Sequence, residues 1–366
     1  MEVDESQPSK RRLPASPSFK NHSGVSLSAS PQRKRTREDA ELVKKTQRLS
    51  VSLHPSRDLE PGKAVLGNKF LGSDSSALPK PPWLDEEKLL RGQAFFFRHL
   101  ASLLFAFMCA LIVGFSVDSL SAALVYTQVS VGPEKARHRY EATLSHIARW
   151  HAASLFAPAS VAGSSILLVR RMHDRVRQGL MKDQGFSFPL SQYDTALVQS
   201  GFVGPLLMQP KQLGVQASPD QLDDYVYFWR VIGHLMGLED RFNICGGGLM
   251  GAVGLCEEVA TSIIAPGQVN PSHNAVLLRQ DFIDGFKAVH PWLSLELIQA
   301  FTYPHIGLPA PSLGLLRWLL LQLLRLTFCL IGAWPWLRDR LNALTWRTLR
   351  PLLPNLPAQI PFSSQQ

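Results

Sequence analysis

The chain has 366 residues, of which 45% are hydrophobic, so it is long enough to bury a large core in one main domain. Its net charge of +9 comes from the two ends, because residues 1–60 carry an excess of four positive charges, residues 312–366 an excess of five, and residues 61–311 are neutral. Phosphate binding requires clustered positive charge, so the neutral middle argues against a nucleic-acid surface on the core.

The first 78 residues are rich in Ser, Pro, Lys and Arg and poor in large apolar side chains. Such a segment buries too little surface to offset its ordering entropy, so we expect a disordered basic tail. Lys10–Arg12 and Arg33–Arg37 resemble targeting or lipid-contact patches, although a solvated tail is the simpler interpretation. No cleavable signal peptide is visible, since the first apolar run begins near residue 94, and we predict a chain that is not secreted.

The first long apolar stretch runs from Leu100 to Val117 without a charged residue. This length reaches only the lower limit for a membrane-spanning helix. Gly114 and two serines dilute its hydrophobicity, so we favour a buried helix over a membrane span.

Helical periodicity dominates residues 79–311, and the predicted helices cover residues 133–155, 163–181, 193–208, 219–238, 276–288 and 293–302. Few stretches alternate between apolar and polar residues, so the sequence predicts an all-α protein. Residues 246–251 satisfy the pattern GxGxxG, but no buried strand precedes them, and we interpret these glycines as a turn between helices. The four cysteines show neither a CxxC pair nor a zinc-like spacing.

Two predicted helices carry candidate site residues. Arg170, His173 and Arg177 are three and four residues apart, which places them on one helical face. A neutral imidazole is a good iron ligand, and arginines suit the carboxylates of a cofactor such as haem; an exposed basic face is the alternative. A second stripe, on the helix predicted at 133–155, consists of Arg139, Thr143, His146 and Trp150.

The most apolar segment of the chain runs from Leu315 to Leu337 and ends with two tryptophans and several arginines. Tryptophan and arginine at the end of an apolar helix are typical of a bilayer interface. Arg325 lies near the middle, where a span would cost about 2.5–3.5 kcal/mol, and snorkelling or an in-plane orientation would relieve that cost. We predict membrane association through residues 312–366, with packing on the core or on a second copy as the alternatives.

Several short motifs occur in a familiar order, namely Pro82-Trp83, Gly92-Gln93, Arg139-Tyr-Glu-Ala-Thr143, His146 with Trp150, Arg170-Arg-Met-His173, and Phe228-Trp-Arg-Val-Ile-Gly233 with Gly237. Together they resemble the DUF2236 family, that of the ER-bound oxygenase MpaB and the rubber oxygenase (latex clearing protein), over residues 80 to about 305. The resemblance implies a globin-like helical core around haem b, with O2 as co-substrate. It also implies membrane association, in the endoplasmic reticulum or another endomembrane, and a hydrophobic substrate, isoprenoid or lipid.

The resemblance assigns roles residue by residue. His173 matches the proximal haem histidine, with Arg170 and Arg177 beside it, while Arg139 and Thr143 match positions over the distal face, and His146 is a further pocket-facing candidate. The distal lysine of the rubber oxygenase falls at Ala142 here, and its proposed catalytic acid has no counterpart near residues 122–126.

Three interpretations follow from these residues. The first is a membrane-associated, haem-dependent oxygenase whose helical domain comprises residues 79–311. The second keeps the fold without catalysis and binds a lipid or a protein partner, which the missing lysine and acid favour. The third places a non-haem metal between His173 and His146.

Overall fold

The computed structural model describes residues 59–64, 78–184, 189–354 and 356. Within these residues every regular element is a helix, which confirms the predicted all-α class, whereas the globin-like arrangement stays a prediction. The α-helices are α1 (Glu86–Arg98), α2 (Leu100–Gly114), α3 (Asp118–Tyr126), α4 (Pro133–Ala152), α5 (Val161–Gln184), α6 (Gln192–Met208), α7 (Pro219–Leu235), α8 (Gly248–Glu258), α9 (Ala265–Val269), α10 (His273–Lys287), α11 (Leu295–Thr302), α12 (Leu315–Ala333) and α13 (Pro335–Leu349). A π-helical segment, Val259–Ile264, joins α8 to α9, and short 3-10 helices lie at Glu60–Ala64, Asp240–Phe242, Tyr303–Ile306 and Arg350–Leu352.

Local sequence explains where several helices begin. Ser191 and Asp194 form a capping box at the start of α6, and Ser218 and Gln221 form another at the start of α7. Each box satisfies two backbone N–H groups that have no partner within the helix. Of the glycine-rich segment 246–251, which the sequence predicted to be a turn, Gly246 and Gly247 lie in a turn, whereas Gly248 to Gly251 form the first turn of α8.

The core is built from closely packed helix pairs. A Cβ atom on Gly92 of α1 would lie 2.3 Å from the carbonyl oxygen of Asp224 on α7, so only glycine permits this approach. Between α4 and α10, a Cβ atom on Gly285 would lie 2.2 Å from the carbonyl oxygen of Pro133. Helix α2 has no exposed residue and packs against α6, α11 and α13, which agrees with the buried helix predicted there.

Helices α1 and α2 meet at an angle of 87° at His99. Asn342 of α13, which is buried, supplies the missing backbone partners at this bend. Its Oδ1 accepts from the backbone N–H of Ala101 (3.0 Å), and its Nδ2 donates to the carbonyl oxygens of Phe97 (3.3 Å) and Arg98 (2.7 Å). The end of the chain therefore stabilises a break in the first two helices.

Among the residues that the structure describes, two helical stretches are long and apolar enough to cross a membrane, Gly248–Val269 and Leu315–Ala333, and the bent pair α1–α2 would be a third. Length and composition alone do not distinguish a span from a helix packed on the core. Helix α13 was not predicted, because its sequence is polar and basic and was assigned to a tail.

Residues 59–64 fall within the segment for which we predicted disorder, yet they form a 3-10 helix against α6. Leu59 is buried in the core, and a Cβ atom on Gly62 would lie 3.0 Å from the backbone nitrogen of Tyr193. One apolar side chain and one glycine therefore suffice to dock this segment. The basic clusters at residues 10–12 and 33–37 lie outside the described residues.

Candidate functional site

Helices α4 and α5 run antiparallel and are joined near their connecting loop by a small polar cluster. The hydroxyl oxygen of Ser165 on α5 lies 2.7 Å from Nδ1 of His146 and accepts from Nε1 of Trp150 at 3.0 Å. His146 and Trp150 belong to the stripe on α4 that the sequence predicted. The stripe therefore faces α5.

The same stripe becomes accessible further from the loop. Thr143, one turn before His146, is exposed, and its hydroxyl donates to the carbonyl oxygen of Arg139 at 3.0 Å. The hydroxyl proton is thus engaged within α4, and its lone pairs remain available to an incoming donor. The stripe therefore contacts α5 at Trp150 and His146 and meets solvent at Thr143.

His173 lies on the facing side of α5. His173 is exposed, whereas the other residues on its stripe of α5 are buried, namely Ala162, Ile166, Arg170, Arg177 and Leu180. The pKa of His173 is nevertheless lowered to about 4, first because surrounding protein atoms desolvate the charged ring and then because of the positive charges of Arg139 and Arg177. The ring is therefore accessible to solvent and is also surrounded by enough protein to disfavour its charged form.

The arginines around His173 differ in their partners. Arg170 donates through Nη1 to the carbonyl oxygen of Leu235 at 2.6 Å, which ties α5 to the last turn of α7. Arg177 forms an ion pair with Asp174. The Nε atoms of Arg177 and Arg139 are buried and have no hydrogen-bond partner among the described residues.

These features fit the chemical requirements of a haem-like group. The lowered pKa keeps the imidazole of His173 neutral at physiological pH, which is the form that binds iron. Val169 and Val176 flank it on one side of the helix, where a macrocycle needs apolar contacts. The positive charges of Arg139 and Arg177 near the ring suit carboxylates at its edge.

The structure brings five of the six predicted site residues into one region and separates the sixth. Arg139, Thr143, Arg170, His173 and Arg177 lie along the facing stripes of α4 and α5. His146 is held by Ser165, which precedes His173 by eight residues, or about 12 Å along a helix. Among the described residues no group of three or more His, Cys, Asp or Glu could hold a metal ion.

Two residues of the site were missed by the sequence reasoning. Ser165 holds His146 and Trp150 together, and nothing in its local sequence distinguishes it from other helical serines. Asp174 partly offsets the charge of Arg177, and its spacing of three residues from that arginine, typical of a helical ion pair, could have identified it. A cleft of about 610 Å³ near α1 and residues 152–158 contains none of the predicted site residues.

Fold and site together define an all-α protein in which two antiparallel helices carry one neutral, solvent-accessible imidazole among arginines. Residues 96–354 match the profile of the family described as ER-bound oxygenase mpaB/B'/Rubber oxygenase, catalytic domain, and the chain belongs to this family. The match includes α12 and α13, which lie beyond the region of resemblance recognised in the sequence. No curated protein and no solved structure matched the chain.

Proposed function

We propose that this protein is a membrane-associated, haem-dependent oxygenase that acts on a hydrophobic substrate of the isoprenoid or lipid class. The observation that carries the proposal is the neutral ring of His173, accessible within an otherwise buried stripe. Family membership supports oxygenase chemistry, and the description of the family as ER-bound supports location at the endoplasmic reticulum or another endomembrane.

In this proposal His173 is the protein ligand of the iron in haem b, and bound haem supplies the iron at which O2 is activated. Arg177 and Arg139, whose positive charges act on His173, would hold the haem carboxylates. Arg170 acts differently, because its bond to Leu235 fixes the position of α5 and thereby the direction of the imidazole.

The residues of α4 would shape the opposite face of the site. Thr143 would present its hydroxyl oxygen to that face, and the guanidinium of Arg139 would make the face electropositive. Ala142 is exposed where the rubber oxygenase has lysine, so this chain offers no amine ligand at that position. O2 would then have direct access to this face.

The test is the absorption spectrum and iron content of the purified full-length protein after addition of haem. We expect a Soret band and about one iron per chain. His173→Ala should abolish both, whereas His138→Ala is a matched control, because His138 is an exposed histidine on α4 with only carboxylate neighbours. A Soret band unchanged in His173→Ala would reject His173 as the ligand.

A non-catalytic protein of the same fold is the second candidate. The exposed Ala142 and the absence of an acid at residues 122–126 favour it, since both departures remove groups that the rubber oxygenase uses. A folded protein that takes up no haem would support this candidate. The third interpretation places a metal between His146 and His173. His146 contacts Ser165, which lies about two helical turns before His173 on α5, and this separation speaks against a shared metal.

A further inference from the structure

We propose that α12 lies flat in the surface of a lipid bilayer, with one face on the protein core and the other in the lipid, and does not cross the membrane. This inference deepens the membrane association proposed above and rests on it. It is independent of haem binding, so the two can fail separately.

One face of α12 is fixed to the core. Leu321, Phe328 and Ile331 are buried at 5%, 4% and 2% exposure, and they recur at helical spacing over ten residues. The loop before α7 approaches the same face so closely that a Cβ atom on Gly214 would lie 2.2 Å from the carbonyl oxygen of Phe328. A helix attached along its side cannot cross a bilayer unless the loop and the helices beneath it also enter the lipid.

The opposite face of α12 is a continuous row of leucines, which we call the leucine face: Leu316, Leu319, Leu323, Leu326 and Leu330. The first four are exposed by 72%, 49%, 60% and 52%. A contiguous apolar strip of this kind marks an interaction surface, because water contact with each leucine is unfavourable.

The charged residues of α12 lie on the side of the helix away from the leucine face. Arg317 and Arg325 are exposed and are four residues before and after Leu321, which places them beside the core face and away from the leucines. With the helix in the bilayer plane, their long side chains reach the headgroups while the leucines contact acyl chains. In a spanning orientation Arg325 would lie near the bilayer centre instead.

The other single-helix candidate span has a different exposed surface. Within Gly248–Val269, the exposed side chains include Glu257, Thr261 and Ser262. These polar groups favour water over lipid. Of the two single-helix candidates, therefore, α12 is the one with an exposed surface suited to a bilayer.

A second copy of the chain is the competing occupant, because the leucine face repeats every three and four residues as in a coiled coil. Coiled-coil partners are selected by charged residues beside the apolar seam. Here the flanking positions carry no charge and are occupied by Leu315, Leu320, Gln322, Thr327 and Cys329. Exposed Trp334 and Trp336 at the end of the helix, and exposed Arg340 and Arg347 beyond it, instead suit the headgroup region of an anionic bilayer.

The first experiment is flotation of the purified full-length protein with phosphatidylcholine vesicles that contain phosphatidylserine. Leu316→Glu combined with Leu323→Glu should reduce the bound fraction by about tenfold or more, because two glutamates would have to enter the lipid. The control combines Val276→Glu with Val289→Glu, at valines exposed by 52% and 55% on or just after α10, and should float as the wild type does. Circular dichroism verifies that both variants are folded.

Equal flotation of the leucine variant and the wild type would overturn the proposal. So would a wild-type dimer in solution that the leucine variant converts to a monomer while flotation stays unchanged, since the leucines would then join two copies. The Soret band of the same variants reports haem binding separately. A protein that binds membranes but not haem would contradict only the proposed oxygenase function.

The second experiment distinguishes the in-plane from the spanning orientation. Cys329 is the exposed cysteine of the four, so Cys329→Ser gives a background in which the remaining thiols are buried. In sealed microsomes, Ser312→Cys and Arg340→Cys then report on which side of the membrane each end of α12 lies. Labelling of both by a membrane-impermeant maleimide without detergent supports the in-plane helix, and protection of one until detergent is added overturns it.

Discussion

The histidines of this protein differ mainly in what surrounds each ring. His151, on α4, is stacked between Phe96 and Phe228 with ring centroids 4.0 Å away on each side. Its Nδ1 donates to the carbonyl oxygen of Ile147 at 2.8 Å, while Nε2 is buried without a partner among the described residues. The pKa of His151 is lowered to about 3, because burial disfavours the charged ring and the bond to Ile147 offsets this only in part.

This lowered pKa predicts how stability depends on pH. In the unfolded chain His151 takes up a proton near pH 6.5, whereas in the folded protein it stays neutral to about pH 3. Its contribution is therefore fully present above pH 6.5 and is lost as the pH falls toward 3. His151→Leu should reduce the slope of unfolding free energy against pH by about 1.4 kcal/mol per pH unit near pH 5.

Chemical denaturation at several pH values between 4.5 and 7 would measure this slope. The wild-type protein measured in the same buffers is the reference at each pH value. An identical slope in His151→Leu and the wild type would contradict the burial of a neutral His151.

At the residue scale, the sequence predicted which side chains share a helical face but not what that face contacts. The spacing of Arg170, His173 and Arg177 was sufficient to place them together on α5. It could not show that both arginines are buried while the histidine between them is accessible, because burial depends on which other parts of the chain pack against α5. The separation of His146 from His173 likewise depends on Ser165, whose partners lie on another helix.

At the scale of elements, helices with their own capping residues were predictable and bends were not. The six predicted helices all occur, with ends shifted by only a few residues. The bend at His99 was not predicted, since it contains no proline or glycine and is satisfied by Asn342, more than 240 residues away in sequence. The π-helical segment before α9 has no local signal either.

Gly214 provides a test of how α12 is attached. Its φ of +65° is left-handed, and a Cβ atom would also lie 2.8 Å from Cγ1 of Ile331. Gly214→Ala should therefore lower the unfolding free energy by about 2–4 kcal/mol, through backbone strain and displacement of α12. Thermal and denaturant unfolding would measure the loss.

Gly251→Ala serves as its control. Gly251 lies inside α8, and a Cβ atom added there would have no neighbouring atom within 4 Å. Alanine should stabilise this helix by about 0.5–1 kcal/mol, because glycine loses more conformational freedom on folding. If Gly214→Ala were as stable as Gly251→Ala, the close contact with α12 would be wrong.

At the scale of the whole molecule, the sequence predicted a core at residues 79–311 with a separate apolar segment after it. That division rested on the change in composition near residue 312, where a neutral region gives way to an apolar and basic one. The family match nevertheless continues to residue 354, and α12 and α13 contribute buried side chains to the same hydrophobic cluster as α1 and α2. A segment can be apolar enough for a membrane on one face and still complete the core with the other.

Removal of residues 312–366 should therefore destabilise the core in addition to weakening membrane attachment. The truncation leaves Phe97 without the edge-to-face contact of Trp346, whose ring centroid lies 5.6 Å away, and leaves the bend at His99 without Asn342. Buried backbone groups that lose their partners cost about 1–3 kcal/mol each. We expect the truncated chain to aggregate or to unfold without a cooperative transition, whereas a chain that ends at residue 356 should unfold as the full chain does.

Helix content by circular dichroism, together with the thermal unfolding curve, distinguishes these outcomes. A separable anchor predicts that the chain ending at residue 311 is monodisperse, keeps the unfolding temperature of the full chain and no longer floats with vesicles. An integral part of the core predicts loss of the cooperative transition. In that case only the substitutions on the leucine face can separate membrane binding from folding. Those leucines contact solvent, whereas the residues on the opposite side of α12 contact the core and stay in place.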